Sequence, residues 1–460
     1  MNLVRLWVLT LLIFPLWALP VRAQPFTLSL EEAIQRALDQ SINIRREAID
    51  LATAHYSARR LWSEIFPNFS LSAGFNFLPT TPLFTDPGFH HDTERLSYSL
   101  NLGLALSLNP SLRASMNSIE LAFRARLLSY EDARRQLEIR VIKDFLRLVT
   151  MQENIFHMEE NLEFATQTMN NMQIAWQHGL LNELAWLNSQ LSVATAQYEL
   201  NMARGVYQTN LWEFLALLGM DAGVDITFTG TIDIFQILYD PEQLIREYLP
   251  RRPDIISQYQ TIERLELGRT VTTLNNRAPT LVFGTAWTGG PGQRGIGPNT
   301  GPSSGNLNSP FTDRVSGSVT LNIPVDSWIP GTRQNQGIRA ASAEVEKARL
   351  DLQNIQTQAK TEIRSLVSNL NNTWEGLEIA RLRMDIAQRT VDAADEGFRN
   401  GTVPFQELED RRRDLSNARQ ALLQGELNYQ NLLLDLAAAL NVEWRILTRH
   451  QSGGGLNPEA

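Results

Sequence analysis

Glu407 and Asp410 stand three residues apart in "VPFQELEDRRRDL". On a helix that spacing sets both carboxylates on one face, about one turn apart. The chemistry open to such a pair is electrostatic: it attracts cations and resists anions. The alternative is a solvated helix face beside Arg411, Arg412 and Arg413, and the residues alone leave both readings open. His90, His91 and Asp92 are of metal-ligand type, but adjacent histidines in a Pro/Gly loop are more often plain surface. No metal site and no cofactor are expected. There is no HExxH, no GxSxG and no cysteine, hence no thiolate site and no disulfide. Without a nucleophile–base set, an enzyme is not expected.

The elements that must carry the acid pair are long helices. From Leu112 to Gln177 there is neither Gly nor Pro, and a similar run goes from about Arg333 to Arg399. At a rise of ~1.5 Å per residue each run could extend for ~100 Å. Short breaks, "QHGLLN" and "RNGTVP", follow them, and second helical runs continue to about Leu218 and Leu440. Breaks this short make helical hairpins, and helices this long must pack lengthwise as coiled coil. Gly179 and Gly401 sit at the breaks, where a left-handed residue ends a helix.

Four stretches have a period of two instead. "RLSYSLNLGLALSL" alternates apolar residues, among them Leu100, Leu102 and Leu104, with Ser, Asn, Gly and Ala. Expected strands cover roughly 68–78, 94–108, 279–289 and 312–325. Their apolar faces include Phe69, Phe75, Phe283 and Leu321; Ser and Asn dominate the opposite faces. The loops at 78–93 and 288–312 are rich in Gly, Pro, Ser and Asn and read as exposed.

Both halves follow one plan of helix, strand, loop, strand, long helix, break and helix. Pro67 matches Pro279, Arg95 matches Arg314, and aligning Gly179 with Gly401 pairs Tyr207 with Tyr429 and Leu218 with Leu440. A duplication follows. The expected organisation is a signal peptide at 1–23, a first repeat at 24–240, a second at 241–447 and a flexible tail at 448–460. The signal peptide is read from Arg5, the apolar run after it, and small residues Val21 and Ala23 before the cleavage point. A retained anchor is the weaker reading, because the run is short and broken by Pro15.

The 460 residues carry a net charge of −9, which argues against a nucleic-acid surface. The mean hydropathy of −0.21 and the absence of any later spanning run exclude a transmembrane helix after the signal. Each strand is nevertheless long enough to cross a bilayer, at ~9–11 residues tilted. Apolar outside and polar inside is the pattern of a barrel with a wet lumen. A small soluble sandwich is the alternative, but it leaves the long helices unexplained. Four strands cannot close a barrel in lipid, and an open edge there leaves backbone groups unpaired. Two copies give a plugged core; three give a passage. A homotrimer is expected.

The sequence resembles the outer membrane efflux protein family, the TolC-like exit ducts, over essentially the whole mature chain. "LSLEEAIQRAL" is similar to the family's opening helix, and "LPRRPDII" to the "RPD" signature of its drug- and metal-efflux branch, here Arg252, Pro253 and Asp254. "WQHGLL" and "FRNGTV" resemble the family's "VGL" and "VGT" hairpin tips. The resemblance implies a mainly α chain with membrane β, assembled as a trimeric twelve-stranded barrel in the outer membrane and continued by a periplasmic α-helical tunnel. It implies Gly179, Leu180, Gly401 and Thr402 as tips that meet a periplasmic adaptor. An inner-membrane pump of RND or ABC type and outer-membrane lipid are the other implied partners. It also implies Glu407 and Asp410 as stacked acidic rings at a closed aperture. The chain departs from the family in lacking an N-terminal lipidated Cys and in carrying His178 and Asn400 before the tip glycines. Ala185 is the first-hairpin equivalent of Glu407, and Val403 stands where some members have Arg. The expected function is a passive exit duct of a tripartite efflux or type I secretion system. A periplasmic coiled-coil adaptor or structural protein is the alternative, and a secreted hydrolase with a helical stalk a third reading.

Overall fold

Ser29 opens the first helix. Its hydroxyl accepts from the Glu32 amide and the Glu32 carboxylate accepts from the Ser29 amide, a reciprocal cap of two otherwise free donors. From there the chain, described as a computed structural model over residues 26–78, 95–223, 226–229, 234–291 and 311–445, is dominated by helix. In order the elements are β1 (Phe26–Ser29), α1 (Leu30–Gln40), α2 (Ile42–Arg59), β2 (Asn68–Leu78), β3 (Arg95–Leu108), α3 (Leu112–Gln177) and α4 (Glu183–Leu217). Then follow β4 (Ile226–Thr229), α5 (Pro241–Tyr248), α6 (Pro253–Arg277), β5 (Thr280–Pro291), β6 (Phe311–Asn322), α7 (Arg333–Arg399) and α8 (Phe405–Leu440). The expected signal peptide, His90, His91 and Asp92, and the tail at 448–460 lie outside the described residues.

Two differences from the sequence reading have local causes. The helical regions before β2 and β5 are each divided. Ser41 closes α1, its amide donating to Ala37 O, and Pro250 and Pro253 separate α5 from α6 with a short 3-10 turn, Leu249–Arg251. β6 ends at Asn322, short of residue 325, because Pro324 has no amide to continue the ladder.

The chain divides into two compact units, each drawing on both halves of the sequence. The strand unit comprises Ile42–Arg135, Leu238–Asn369 and Asp435–Ala460. Its sheet has the order β2-β3-β5-β6, antiparallel throughout, so β2 and β6 are open edges. The register lines up Leu71, Leu102, Trp287 and Val315 as one apolar row across all four strands. The next row on that face holds Phe69, Leu104, Thr285 and Gly317, and beyond it come Leu106, Phe283 and Val319, then Leu108, Leu281 and Leu321. The other face carries Ser70, Gly103, Ala286 and Ser316 in one row and Ser72, Asn101, Thr288 and Arg314 in another. Small residues are required there: a Cβ on Gly103 would lie 2.7 Å from Ser70 Oγ.

The hairpin unit comprises Met1–Ser41, Gln136–Ile237 and Leu370–Leu434. Its core gathers around a parallel pairing of β1 with β4. Phe145, Phe214 and Phe228 meet edge to face there, with the Phe145 and Phe228 centroids 5.3 Å apart. Tyr429 is fully buried, meets the Trp374 ring at a tilt with centroids 5.4 Å apart, and donates its hydroxyl hydrogen bond to Phe235 O at 2.9 Å. The α3 and α4 pair and the α7 and α8 pair are the two hairpins, and both turns lie in this unit.

Candidate functional site

The two tips share one backbone solution. After α3, Gly179 has φ 71°, Leu180 N donates to Ala175 O and Gly179 N to Trp176 O, both at 2.9 Å. After α7, Gly401 has φ 72°, Thr402 N donates to Gly397 O at 2.9 Å and Gly401 N to Phe398 O at 3.0 Å. This is the Schellman close, which satisfies the last carbonyls and needs a left-handed residue at the turn. Aromatic pairs bridge each turn: Trp176 and Trp186 stack at 4.6 Å, and Phe398 meets Phe405 at 6.2 Å.

Beyond the turns the tips diverge. Asn182 caps α4 by accepting from the Ala185 amide, and Leu180, Leu184, Leu187 and Leu191 are exposed. At the second tip Thr402 is exposed and its hydroxyl donates to Gly397 O. Val403, where an arginine was one family alternative, packs on Gly397, whose position has no room for a Cβ.

Glu407 and Asp410 lie on the exposed face of α8, as the spacing requires. Each has an arginine one turn on: Glu407 is 3.7 Å from Arg411 and Asp410 is 3.8 Å from Arg413. Gln406 donates weakly to Asp410. These pairs are exposed and individually weak, so the face keeps a carboxylate surface rather than a locked bridge.

Arg412, which follows the acid pair in sequence, does not share its exposed face. Leu408, Arg412 and Leu415 recur at i, i+4 and i+7, and Leu408 and Leu415 are buried. Arg412 therefore turns inward, its guanidinium 3.1 Å from Asp395 of α7 and over the ring of Phe164 of α3. Burial pulls its pKa down to about 10, against the opposing charges of Asp395 and Glu409. Glu409 accepts from Ser192 of α4 at 2.7 Å. One turn of α8 thus touches all three other long helices, which fixes the direction in which Glu407 and Asp410 point. The apolar phase through Arg412 was the available signal.

In the strand unit the "RPD" residues form a junction. Pro253 opens α6. Arg252, nearly buried, holds Asp254 bidentately at 2.8 and 3.1 Å, reaches Glu362 of α7 at 2.8 Å and donates to Ala439 O near the end of α8. Burial opposes the Arg252 charge, but the hydrogen bonds and charges of Asp254 and Glu362 outweigh it and raise its pKa. Burial likewise acts upward on Asp254, yet Arg252 and the Ile255 amide hold that carboxyl below its usual value. Asn441, left-handed at φ 59°, donates to Arg251 O beside it.

The expected lipid-facing residues Phe69, Phe75, Leu100, Leu102, Phe283 and Leu321 are all exposed apolar side chains in this chain, and Leu104 shares their face. Among the described residues no cluster of His, Asp and Glu could hold a metal.

The outer membrane efflux protein family model matches residues 33–220 and 293–442, well over half of the sequence. The chain belongs to that family. Solved structures agree on the fold. The Campylobacter jejuni CmeC outer membrane channel is 18% identical, with 89% of this chain and 85% of that chain covered and a TM-score of 0.69. The outer membrane protein VceC of Vibrio cholerae is 15% identical over 90% of this chain and 96% of that chain, at a TM-score of 0.68. The open state of the Neisseria gonorrhoeae MtrE outer membrane channel is 14% identical over 90% and 89%, at 0.69. No curated protein matches the sequence. The family is one of outer membrane efflux proteins, and the long hairpins and four-stranded sheet follow the fold of the solved channels.

Proposed function

We propose that the chain is one third of a homotrimeric outer membrane duct, the passive exit of a tripartite efflux or type I secretion system. One observation carries it: a four-stranded sheet with an exposed apolar face, a small polar face and two unpaired edges. Unpaired edges are not tolerated in lipid. Pairing β6 of one copy with β2 of the next three times gives twelve strands, a closed cylinder with an aqueous interior. The Gly–Ser contacts on the polar face suit a concave lumen wall. A second surface supports assembly. Leu184, Leu187, Leu191, Tyr198, Met202 and Val206 leave an exposed apolar stripe along α4, the kind of surface that marks a contact with another chain.

In this reading the two repeats, residues 24–240 and 241–447, are duplicated halves, the segment 1–23 directs export, and the helices stand in the periplasm. The tips at Gly179, Leu180, Gly401 and Thr402 meet a periplasmic adaptor, which couples the duct to an inner-membrane pump of RND or ABC type. Three copies of Glu407 and Asp410 make two carboxylate rings at the resting aperture. The cargo is small molecules or proteins, with selection residing chiefly in the pump. Mass measurement of protein extracted from outer membranes in detergent, followed by planar-bilayer recording, tests the reading. A conducting trimer supports it; a stable monomer or dimer that conducts refutes it.

A further inference from the structure

The polar face of the sheet is a wall of small neutral residues that Arg314 interrupts. Across β2, β3, β5 and β6 the charged residues are Arg95, Asp313 and Arg314. Arg95 opens β3, at the very end of its strand. Asp313 stands in the alternate register row, with Ala73, Leu100 and Gly289. Arg314 stands in the row of Ser72, Asn101 and Thr288, inside the ladder and on the polar face. Thr288 lies directly opposite it, and both side chains are exposed. Among the described residues no carboxylate is within ion-pair distance of Arg314.

Closing the ring does not supply the missing partner. β6 is an open edge, and in the proposed trimer it pairs with β2 of the next copy. β2 reads NFSLSAGFNFL, without an acid on either face. Whatever register that pairing takes, the neighbouring strand has nothing to neutralise Arg314. β5, on its other side, has no acid either. A guanidinium on a neutral wall of a wet lumen is left to water and dissolved anions.

We propose that Arg314 makes the barrel lumen an anion-binding wall. Three guanidiniums, one per copy and each with the Thr288 hydroxyl opposite, take phosphate, sulfonate or carboxylate groups of solutes passing outward. The site rests on the barrel assignment, which puts the polar face inside. A guanidinium offers an oxyanion a planar fork of donors, and a hydroxyl adds a neutral one. A ring of arginines is the anion-favouring counterpart of a ring of acids. The wall is wet, so it concentrates anionic groups rather than holding them tightly, and salt weakens it.

The chain has no cysteine, so Thr288→Cys gives a single thiol opposite Arg314, about 5 Å away across the ladder. In detergent-solubilised trimers at about 0.1 M salt, its reaction is timed with an anionic sulfonate and a cationic ammonium methanethiosulfonate. A nearby guanidinium raises the thiolate fraction for both reagents alike, so the ratio of the anionic to the cationic rate reads the local potential. A unit charge about 7 Å from the reagent shifts each rate by roughly half of RT, in opposite directions. Arg314→Gln should therefore lower the ratio by about threefold, and Arg314→Lys should keep it. An unchanged ratio in Arg314→Gln means that an acid already covers the guanidinium, and overturns the site. An equal fall in Arg314→Lys marks a change of structure rather than of charge, and overturns it too. Inorganic pyrophosphate, exchanged for chloride at constant ionic strength, should slow the anionic reagent more with Arg314 present than in Arg314→Gln; equal slowing is screening without binding and refutes the site. Leu102→Cys, on the apolar face, should react with neither reagent, and reaction there as fast as at Thr288→Cys overturns the barrel assignment itself.

Discussion

Replacing Arg252 by Met keeps the apolar stem and removes the charge that joins α6, α7 and α8. The loss can be worked from its contacts. Asp254 and Glu362 are 41% and 49% exposed, so water rehydrates them once the guanidinium is gone. Each ion pair then counts about 1 kcal/mol or less, in the manner of surface pairs. Ala439 O differs: Ala439 is buried, and an orphaned buried carbonyl costs about 1–3 kcal/mol. The expected destabilisation is about 2–4 kcal/mol, below the penalty for breaking a fully buried pair. Arg252→Lys should lose roughly half of that, because one ammonium cannot serve Asp254 bidentately and the carbonyl together. Urea unfolding of the detergent-solubilised trimer, followed by helical circular dichroism at unchanged slope, measures both.

The pH dependence has a definite sign. Asp254 has its folded pKa below the ordinary 3.8, so its contribution is complete above that value and is lost as pH falls through the folded pKa. The gap between parent and Arg252→Met should hold constant from neutrality to about pH 4 and narrow below it, leaving the part due to the Ala439 carbonyl. A Met variant within about 0.5 kcal/mol of the parent would show that Arg252 is not a fastening point. A gap that widens on acidification would show that Asp254 is not its partner.

Arg at Leu102, on the apolar row, should block assembly at a cost of about 2–4 kcal/mol per copy, while Arg at Asn101 on the polar row should be tolerated; trimer yield reads both. Gly401→Ala meets no steric obstacle but must adopt φ 72°, so it should lose about 1–2 kcal/mol of hairpin stability in the same unfolding assay. Glu407→Ala with Asp410→Ala should reduce the cation preference of the resting pore in bilayer recordings. Raising the salt should erode the same preference in the parent, since exposed carboxylates are screened over roughly 8–10 Å.

The parts of this fold that were legible share one property: their signal is local and periodic. The alternation in β3 and the uninterrupted runs of α3 and α7 each report on a single element, and a period survives whatever packs beside it. The glycines at the breaks were legible for the same reason, since a left-handed turn is a one-residue requirement. Helix division was lost where the interruption was a single Ser41 or a proline read as part of a longer run. The Arg252 motif was visible as letters, but its task depends on Glu362 and Ala439, far away in sequence. Arg412 was given no task of its own, because three consecutive arginines look uniform until the phase of Leu408 and Leu415 separates them.

That separation matters for the acid pair. A flexible carboxylate face gives a diffuse field, whereas a ring needs each copy to present its acids at one height and angle. The turn of α8 that carries Glu407 and Asp410 is held on its inner side by Leu408, Arg412 and Leu415, and by Glu409 through Ser192. Its outer side is free apart from weak neighbours Arg411 and Arg413. Positioning and exposure are therefore divided between alternate residues of one turn. The first hairpin differs: Ala185 occupies the equivalent position, and Leu184 and Leu187 are exposed there beside Glu183 and Asn188. In the proposed duct the second hairpin would thus bring the ordered acid pair and the first the exposed leucines, a difference built on two turns of the same backbone form.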